Sequence, residues 1–333
     1  VKLNRRAFSR LVFVGCGLAL VGALLTDVTA LAEEALMTDE AALDALKAVT
    51  DSDGDGFTDR QEEDWGTNPR DAGSQPRLDV GMVGLWRLDQ FESTTVSDGS
   101  PNDLDGQLIG SPLPTLSGSG PDKALTFDGV QNEVQIPDTP ALTPRHVVTV
   151  AAWVKASREA EGVLVGKWPA KGMQGSYTLS LLEGYLVMEL SVGGVYRPLI
   201  SSTAIEDEGW HYVAAVYDGF EARLYLDGVR VSTTHTGGKL DVVGEPLVMG
   251  HFQGSLRNVR LFSKPLQDRE LALIYEVELK QLGITQPPPN LMTLRTKAPS
   301  LVVGKRPPAL DEWGSKSNEK RQLALTEKSR GAR

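Results

Sequence analysis

Residues Asp51-Ser52-Asp53-Gly54-Asp55-Gly56-Phe57-Thr58-Asp59-Arg60-Gln61-Glu62 put carboxylates at the first, third, fifth, ninth and twelfth places of one short run. Asp51, Asp53, Asp55, Asp59 and Glu62 can converge on a single hard cation, and the Phe57 carbonyl completes an all-oxygen shell. Gly56 permits the sharp turn that aims these groups inward. Nearly all the ligands come from protein, which suits Ca2+ better than Mg2+, an ion that keeps several waters. Without a divalent ion so many carboxylates repel one another, so metal binding and local ordering are expected to be one event. An acidic solvated turn is the plain alternative, and the full-length match to D-x-D-x-D-G-x5-E argues against it.

Two short elements must hold this loop. An Ala/Leu/Glu-rich segment from Leu36 to Val49, with Leu43, Leu46 and Val49 on one stripe, leads into it as a helix. A second short helix over Arg60 to Trp65 is stopped by Gly66-Thr67-Asn68-Pro69. A paired EF-hand requires a longer exiting helix and a partner hand, and the sequence has neither. Asp51 to Pro69 instead resembles one bacterial thrombospondin type three repeat, an acidic calcium-binding linker. Such repeats usually stand in tandem, so the single copy implies a short calcium-stiffened spacer.

From about residue 78 to 282 the chain reads as strands and tight turns. Apolar alternation recurs in Val83–Phe91, Ala124–Phe127, Glu133–Ile136, Val147–Lys155, Val163–Lys167, Tyr177–Leu182, Leu186–Leu190, His211–Tyr217, Ala222–Leu226, Val229–Ser232 and Ser255–Leu261. Asp227-Gly228 signals a two-residue hairpin. That many strands need a two-sheet arrangement to bury their faces. A helix over Gln267–Leu282 closes the region, packing Leu271, Ile274 and Tyr275. The segments Gly84-Leu85-Trp86-Arg87-Leu88-Asp89, Val150-Ala151-Ala152-Trp153-Val154-Lys155, Trp210-His211-Tyr212-Val213-Ala214 and Gly254-Ser255-Leu256-Arg257-Asn258-Val259 follow in the order of a laminin G-like domain. They are similar to the concanavalin A-like lectin/glucanase group. The fold class expected is therefore all-β: a concanavalin A-like jelly-roll sandwich, preceded by the short helix and calcium loop.

Glucanases of that group imply paired carboxylates on one strand, usually Glu-x-Asp-x-x-Glu, and none is found. Glu206-Asp207-Glu208 is consecutive and reads as a solvated loop. His146, His211, His235 and His251 lack metal spacing, and no Gly-x-Ser-x-Gly elbow occurs. The chain is thus expected not to be an enzyme, with a glycoside hydrolase of the same fold as a lesser alternative. Sugar recognition wants an exposed aromatic face and a few polar groups. Trp168, in a Gly-rich loop, and Tyr196, in a turn, are the candidates, although a loop Trp more often seals a core edge. Trp153 and Trp210 read as core. The resemblance also implies a possible second calcium near Asp89, Asp98, Asn102, Asp105 and Asp128, where turn chemistry explains Asp and Asn equally well.

Asn4-Arg5-Arg6, an apolar run from Leu11 to Leu25 and Ala30-Leu31-Ala32 read as a signal peptide over residues 1–32, similar to a twin-arginine leader. Cys16, the only cysteine, falls inside it, which leaves no thiol for a disulfide, a metal site or a nucleophile. The formal charge of −10 disfavours nucleic acid. It is uneven: residues 33–71 hold 13 acidic and 3 basic side chains, whereas 284–333 hold 4 acidic and 10 basic. Four regions follow: the leader, an acidic helix and calcium loop (33–77), the sandwich (78–282) and a Pro-containing basic disordered tail (283–333). The expectation is an exported calcium-binding protein of the periplasm, cell surface or exterior, with no membrane span once the leader is removed. Its sandwich recognises carbohydrate or a protein partner, or else serves as a structural envelope spacer.

Overall fold

The computed structural model describes residues 42–283 apart from 45, 49 and 169–174. The leader, the start of the first helix and the basic tail lie outside these residues. Two compact units meet in sequence between Pro76 and Arg77. Among the described residues no helix is long and apolar enough to cross a membrane.

In the first unit, residues 42–44 and 46–47 are helical. Leu43 and Leu46, the described part of the apolar stripe, are exposed. The loop then runs into α1 (Asp59–Trp65), whose start is fixed by a capping box. Gln61 N–H donates to the Thr58 hydroxyl at 3.3 Å, and Thr58 N–H donates to the Gln61 side chain at 2.9 Å. Two otherwise orphaned helix-end donors are satisfied in this way.

The second unit has fifteen strands and one α-helix among its described residues. The first six are β1 (Met82–Trp86), β2 (Thr95–Val96), β3 (Gly106–Ile109), β4 (Thr115–Ser117), β5 (Ala124–Asp128) and β6 (Glu133–Ile136). Next come β7 (Val148–Ala156), β8 (Gly162–Lys167), β9 (Tyr177–Leu182), β10 (Tyr185–Val192) and β11 (Val195–Ala204). The remainder are β12 (Trp210–Tyr217), β13 (Glu221–Leu226), β14 (Val229–His235) and β15 (Leu247–Phe262), then α2 (Asp268–Gln281).

They form two antiparallel sheets joined through β15. Its first part pairs with β6 and β8 in sheet B, and its second part with β1, β5 and β7 in sheet A. A strand of 16 residues is too long for one twisted sheet. Gly254, at φ +153° where a Cβ would meet the Lys155 carbonyl at 2.6 Å, lets the chain cross from one sheet to the other. Sheet B continues β8-β9-β10-β11 on one side and β6-β3-β2 on the other; sheet A continues β7-β12-β13-β14.

Between the sheets lies one core that includes Leu164, Leu179, Leu190, Val213, Leu224, Met249 and Phe252. A second apolar layer covers the outer face of sheet A. There α2 packs Leu271, Ile274 and Tyr275 on Trp153, Trp210 and Tyr212, as the sequence pattern predicts. Trp153 stacks on Tyr275 with centroids 5.7 Å apart and donates its indole N–H to Glu278 at 2.7 Å. No helix covers the outer face of sheet B among the described residues.

The strand expected over Val83–Phe91 stops at Trp86, because Leu88 turns the chain at φ 59°. Strands β3 and β11 and the first half of β15 were not legible as alternation. The first is short, the second mixes Pro198 with hydroxyls, and the third carries Gly250.

Candidate functional site

In the first unit, backbone amides hold the acidic loop open. Asp51 accepts from Gly54 N–H at 2.7 Å and Gly56 N–H at 3.0 Å; Asp55 accepts from Phe57 N–H at 2.9 Å. These bonds are local Asx turns, which set the curvature that a short acidic loop needs. One carboxylate oxygen from each of Asp51, Asp53 and Asp55 lies within 4.8 Å of the others.

Glu62 is the deciding residue. It is fully buried, yet neither carboxylate oxygen has a hydrogen-bond partner, and the same holds for one oxygen each of Asp53 and Asp55. Burial, then the charges of Asp55 and Asp53, push the Glu62 carboxyl above its ordinary value. The Thr67 hydroxyl donates to the Glu62 main-chain carbonyl at 3.2 Å and leaves both carboxylate oxygens unpaired. Four orphaned, buried oxygens on three acidic residues are costly unless a cation satisfies them, although Glu62 lies outside the tight cluster of Asp51, Asp53 and Asp55. The residues present therefore fit a calcium ion.

Asp59 stands apart from this group. Its two oxygens accept from Ser52 N–H at 2.9 Å and from the Ser52 hydroxyl at 2.8 Å. The Phe57 side chain is buried at the base of the loop.

In the second unit, pairing puts one unbroken row of residues across sheet B. Gln107 faces Gln135, Gln135 faces Val248, and Val248 faces Gly166. Gly166 faces Thr178, Thr178 faces Glu189, and Glu189 faces Pro198. Neighbours along each strand, such as Val134, Met249, Leu179, Met188 and Leu190, point into the core. The row therefore lies on the outer face, by the alternation of a pleated strand.

The structure brings Trp168 and Tyr196 together at one end of this face. Their rings meet edge to face at 5.9 Å, both half-buried. Tyr196 O–H donates to Glu189 at 3.1 Å, and the Thr178 and Ser180 hydroxyls donate to the same carboxylate at 2.8 and 3.3 Å. At the other end Gln135 donates to Glu133 at 2.7 Å, and His251 lies 3.4 Å from Glu133. Sequence reading passed over Glu189, Glu133 and Gln135. The usable signal was a charged residue inside the otherwise apolar Leu186–Leu190 run.

The remaining acidic candidates of the sandwich are occupied by turns. Asp98 accepts from the N–H groups of Leu85, Ser100 and Leu104, and Asp128 from those of Val130, Gln131 and Asn132. Asp105 caps Asp98 N–H, and Asn102 donates to the Val83 carbonyl. Asp89 keeps one buried oxygen without a partner. His211 is buried between Asp227, at 2.8 Å, and Asp207, at 3.1 Å.

Residues 128–272 match the model of the concanavalin A-like lectin/glucanases superfamily, and residues 51–72 match the bacterial TSP3 repeat. The chain carries a laminin G-like domain and a TSP3 repeat. TSP3 repeats are calcium-binding, in keeping with the orphaned oxygens at Glu62. No curated protein matches. Among solved structures, the binding domain of Paraclostridial Mosquitocidal Protein 1 matches at TM-score 0.50 and 14% identity, over 60% of this chain and 52% of that one. The binding domain of botulinum neurotoxin DC in complex with SialylT matches at TM-score 0.47 and 11% identity, over 60% and 52%. This laminin G-like chain spans about half the length of the structures it resembles, and the first likeness supports the jelly-roll fold alone.

Proposed function

We propose that this chain is an exported, non-catalytic binding or adhesion protein whose laminin G-like domain recognises carbohydrate on the outer face of sheet B. The observation that carries the reading is the accessible part of this face, Gln107, Gln135 and Val248, with half-buried Trp168 and Tyr196 at its far end beyond the buried Gly166, Thr178 and Glu189. The side-chain amides of Gln107 and Gln135, with an aromatic wall, match the donors, acceptors and C–H faces of a sugar chain.

Catalysis is disfavoured by distance. Glu133 on β6 and Glu189 on β10 are separated by β15, β8 and β9, which at strand spacing puts them about 19 Å apart. Paired glycosidase carboxylates stand about 5–10 Å apart. Asp51, Asp53, Asp55 and Glu62, with the Phe57 carbonyl, are the proposed calcium ligands, and Asp59 braces the loop through Ser52. Export to the periplasm, cell surface or exterior is supported by the Arg5-Arg6 leader pattern. The domain limits stay those of the sequence reading, with a boundary near residue 77.

The test is a glycan array probed with the full chain and with Trp168→Ala and Gln135→Ala. Retention of one glycan class that both variants weaken supports the reading. Retention of no glycan, with capture of an envelope protein on the same face, would replace it by the protein-partner alternative.

A further inference from the structure

At one end of the second unit, backbone hydrogen bonds tie four connections into a single surface. Gly238 N–H donates to the Gly219 carbonyl at 3.1 Å and Thr236 N–H to the Phe220 carbonyl at 2.8 Å, which joins the segment after β14 to the β12–β13 turn. Gly193 N–H donates to the Lys239 carbonyl at 3.1 Å and so brings in the β10–β11 turn. Leu240 N–H donates to the Arg145 carbonyl at 2.8 Å and brings in the segment before β7. Three large apolar side chains project from these connections: Phe220 is 78% exposed, Val242 52% and Val195 45%.

We infer that this end of the sandwich docks on an anionic phospholipid bilayer, with Phe220, Val195 and Val242 entering the headgroup layer and Arg145 and Lys239 meeting lipid phosphates. The exposure of Phe220 does not come from a loose backbone. Its N–H donates to Asp218 at 2.9 Å while its carbonyl accepts from Thr236. A fixed turn therefore holds an apolar ring in water, beside two further apolar tips, and burial of such a group of side chains is favourable.

The charges are sorted in the same sense. Asp218 accepts from the N–H groups of Phe220 and Glu221 and from Arg223, and Asp241 accepts from the Ser191 hydroxyl at 2.6 Å and Gly194 N–H at 2.8 Å. Both carboxylates are thus spent on holding the turns. Arg145 and Lys239 are exposed, and no ion pair or side-chain hydrogen bond ties either of them among the described residues. Glu245 is the exposed carboxylate of the β14–β15 connection, one anion against these two cations. Free cations beside apolar tips match an anionic headgroup layer, because their stems lie along apolar surface while their heads reach phosphate. A fluid bilayer accepts separate tips, whereas a specific protein partner needs a continuous complementary patch of roughly 800 Å² on each side.

The experiment sediments the full chain with vesicles of phosphatidylcholine, alone or in about a two-to-one mixture with phosphatidylglycerol, at low and high sodium chloride. Chelator is present throughout, so that calcium cannot bridge the acidic loop to the lipid. The chain partitions onto the mixed vesicles at low salt and less as salt rises. Phe220→Ser, checked by an unchanged melting temperature, weakens partition about tenfold. Arg145→Gln together with Lys239→Gln weakens it about thirtyfold on mixed vesicles at low salt. Phe220→Trp keeps the partition, and its added fluorescence is quenched by brominated acyl chains. Vesicle binding that Phe220→Ser and the double variant leave unchanged would assign the contact to the basic residues of 284–333 and overturn the inference. Absence of vesicle binding would overturn it as well, and either result leaves the glycan reading of sheet B standing.

Discussion

The Tyr196 hydroxyl donates to Glu189 at 3.1 Å across the β10–β11 ladder, so the ring that walls one end of the face also satisfies the carboxylate beneath it. Tyr196→Phe keeps the edge-to-face contact with Trp168 and removes one donor from a buried anion. The expected cost is about 1–3 kcal/mol of unfolding free energy, read by urea denaturation. Thr178→Val should cost a similar amount. The double variant should depart from additivity, since both donors serve one carboxylate. Simple additivity would show that Glu189 does not couple them.

The two loop-pattern carboxylates carried by α1, Asp59 and Glu62, have different tasks. Glu62 has two oxygens without a hydrogen-bond partner and feels the charges of Asp55 and Asp53, whereas Asp59 spends both of its oxygens on Ser52. Calorimetric titration of calcium into the chelator-treated chain should find no heat of binding for Glu62→Gln or Asp53→Ala. Asp59→Asn should still bind, about 10–100-fold more weakly, as expected of a residue that orients the shell. Equal loss in Glu62→Gln and Asp59→Asn would make Asp59 a direct ligand.

A prediction at Gly175 follows from close packing. A Cβ there would come within 2.1 Å of the Trp168 indole, so the ring lies directly on the glycine backbone. Gly175→Ala should push Trp168 off Tyr196 and out of the wall. Tryptophan fluorescence should shift and glycan retention fall toward that of Trp168→Ala, with the melting temperature lowered only slightly. An unchanged spectrum would mean that the ring has room to tilt.

The acidic loop and most strands were legible because their signals are local. A carboxylate at every second position, and apolar alternation in Tyr177–Leu182 or His211–Tyr217, need only the neighbouring residues to be interpreted. The proposed binding face was not legible, because it is assembled by register. Gln107, Gln135, Thr178 and Glu189 are distant in sequence and become neighbours only through pairing across β15 and β8. Trp168 and Tyr196 could be singled out by residue type, but their contact depends on how the β8–β9 and β10–β11 connections approach each other. Asp59 fits the loop pattern by position, and only the geometry reveals Ser52 as its partner.

His211 gives the fold a pH dependence of defined sign. Burial opposes its protonation, but hydrogen bonds and charge from buried Asp227, and then from Asp207, outweigh that and raise its pKa above the ordinary value of 6.5. With the folded value above the unfolded one, protonated His211 stabilises the sandwich. That contribution is fully present below about pH 6.5 and is lost as pH rises through the folded value. Urea unfolding of the full chain across this window should show stability falling toward alkaline pH, and His211→Asn should flatten the slope. Because Asp207 is half exposed, added salt should weaken its part of the shift while the Asp227 part persists. An NMR titration of the His211 ring giving a pKa below 6.5 would show instead that burial prevails and would reverse the sign.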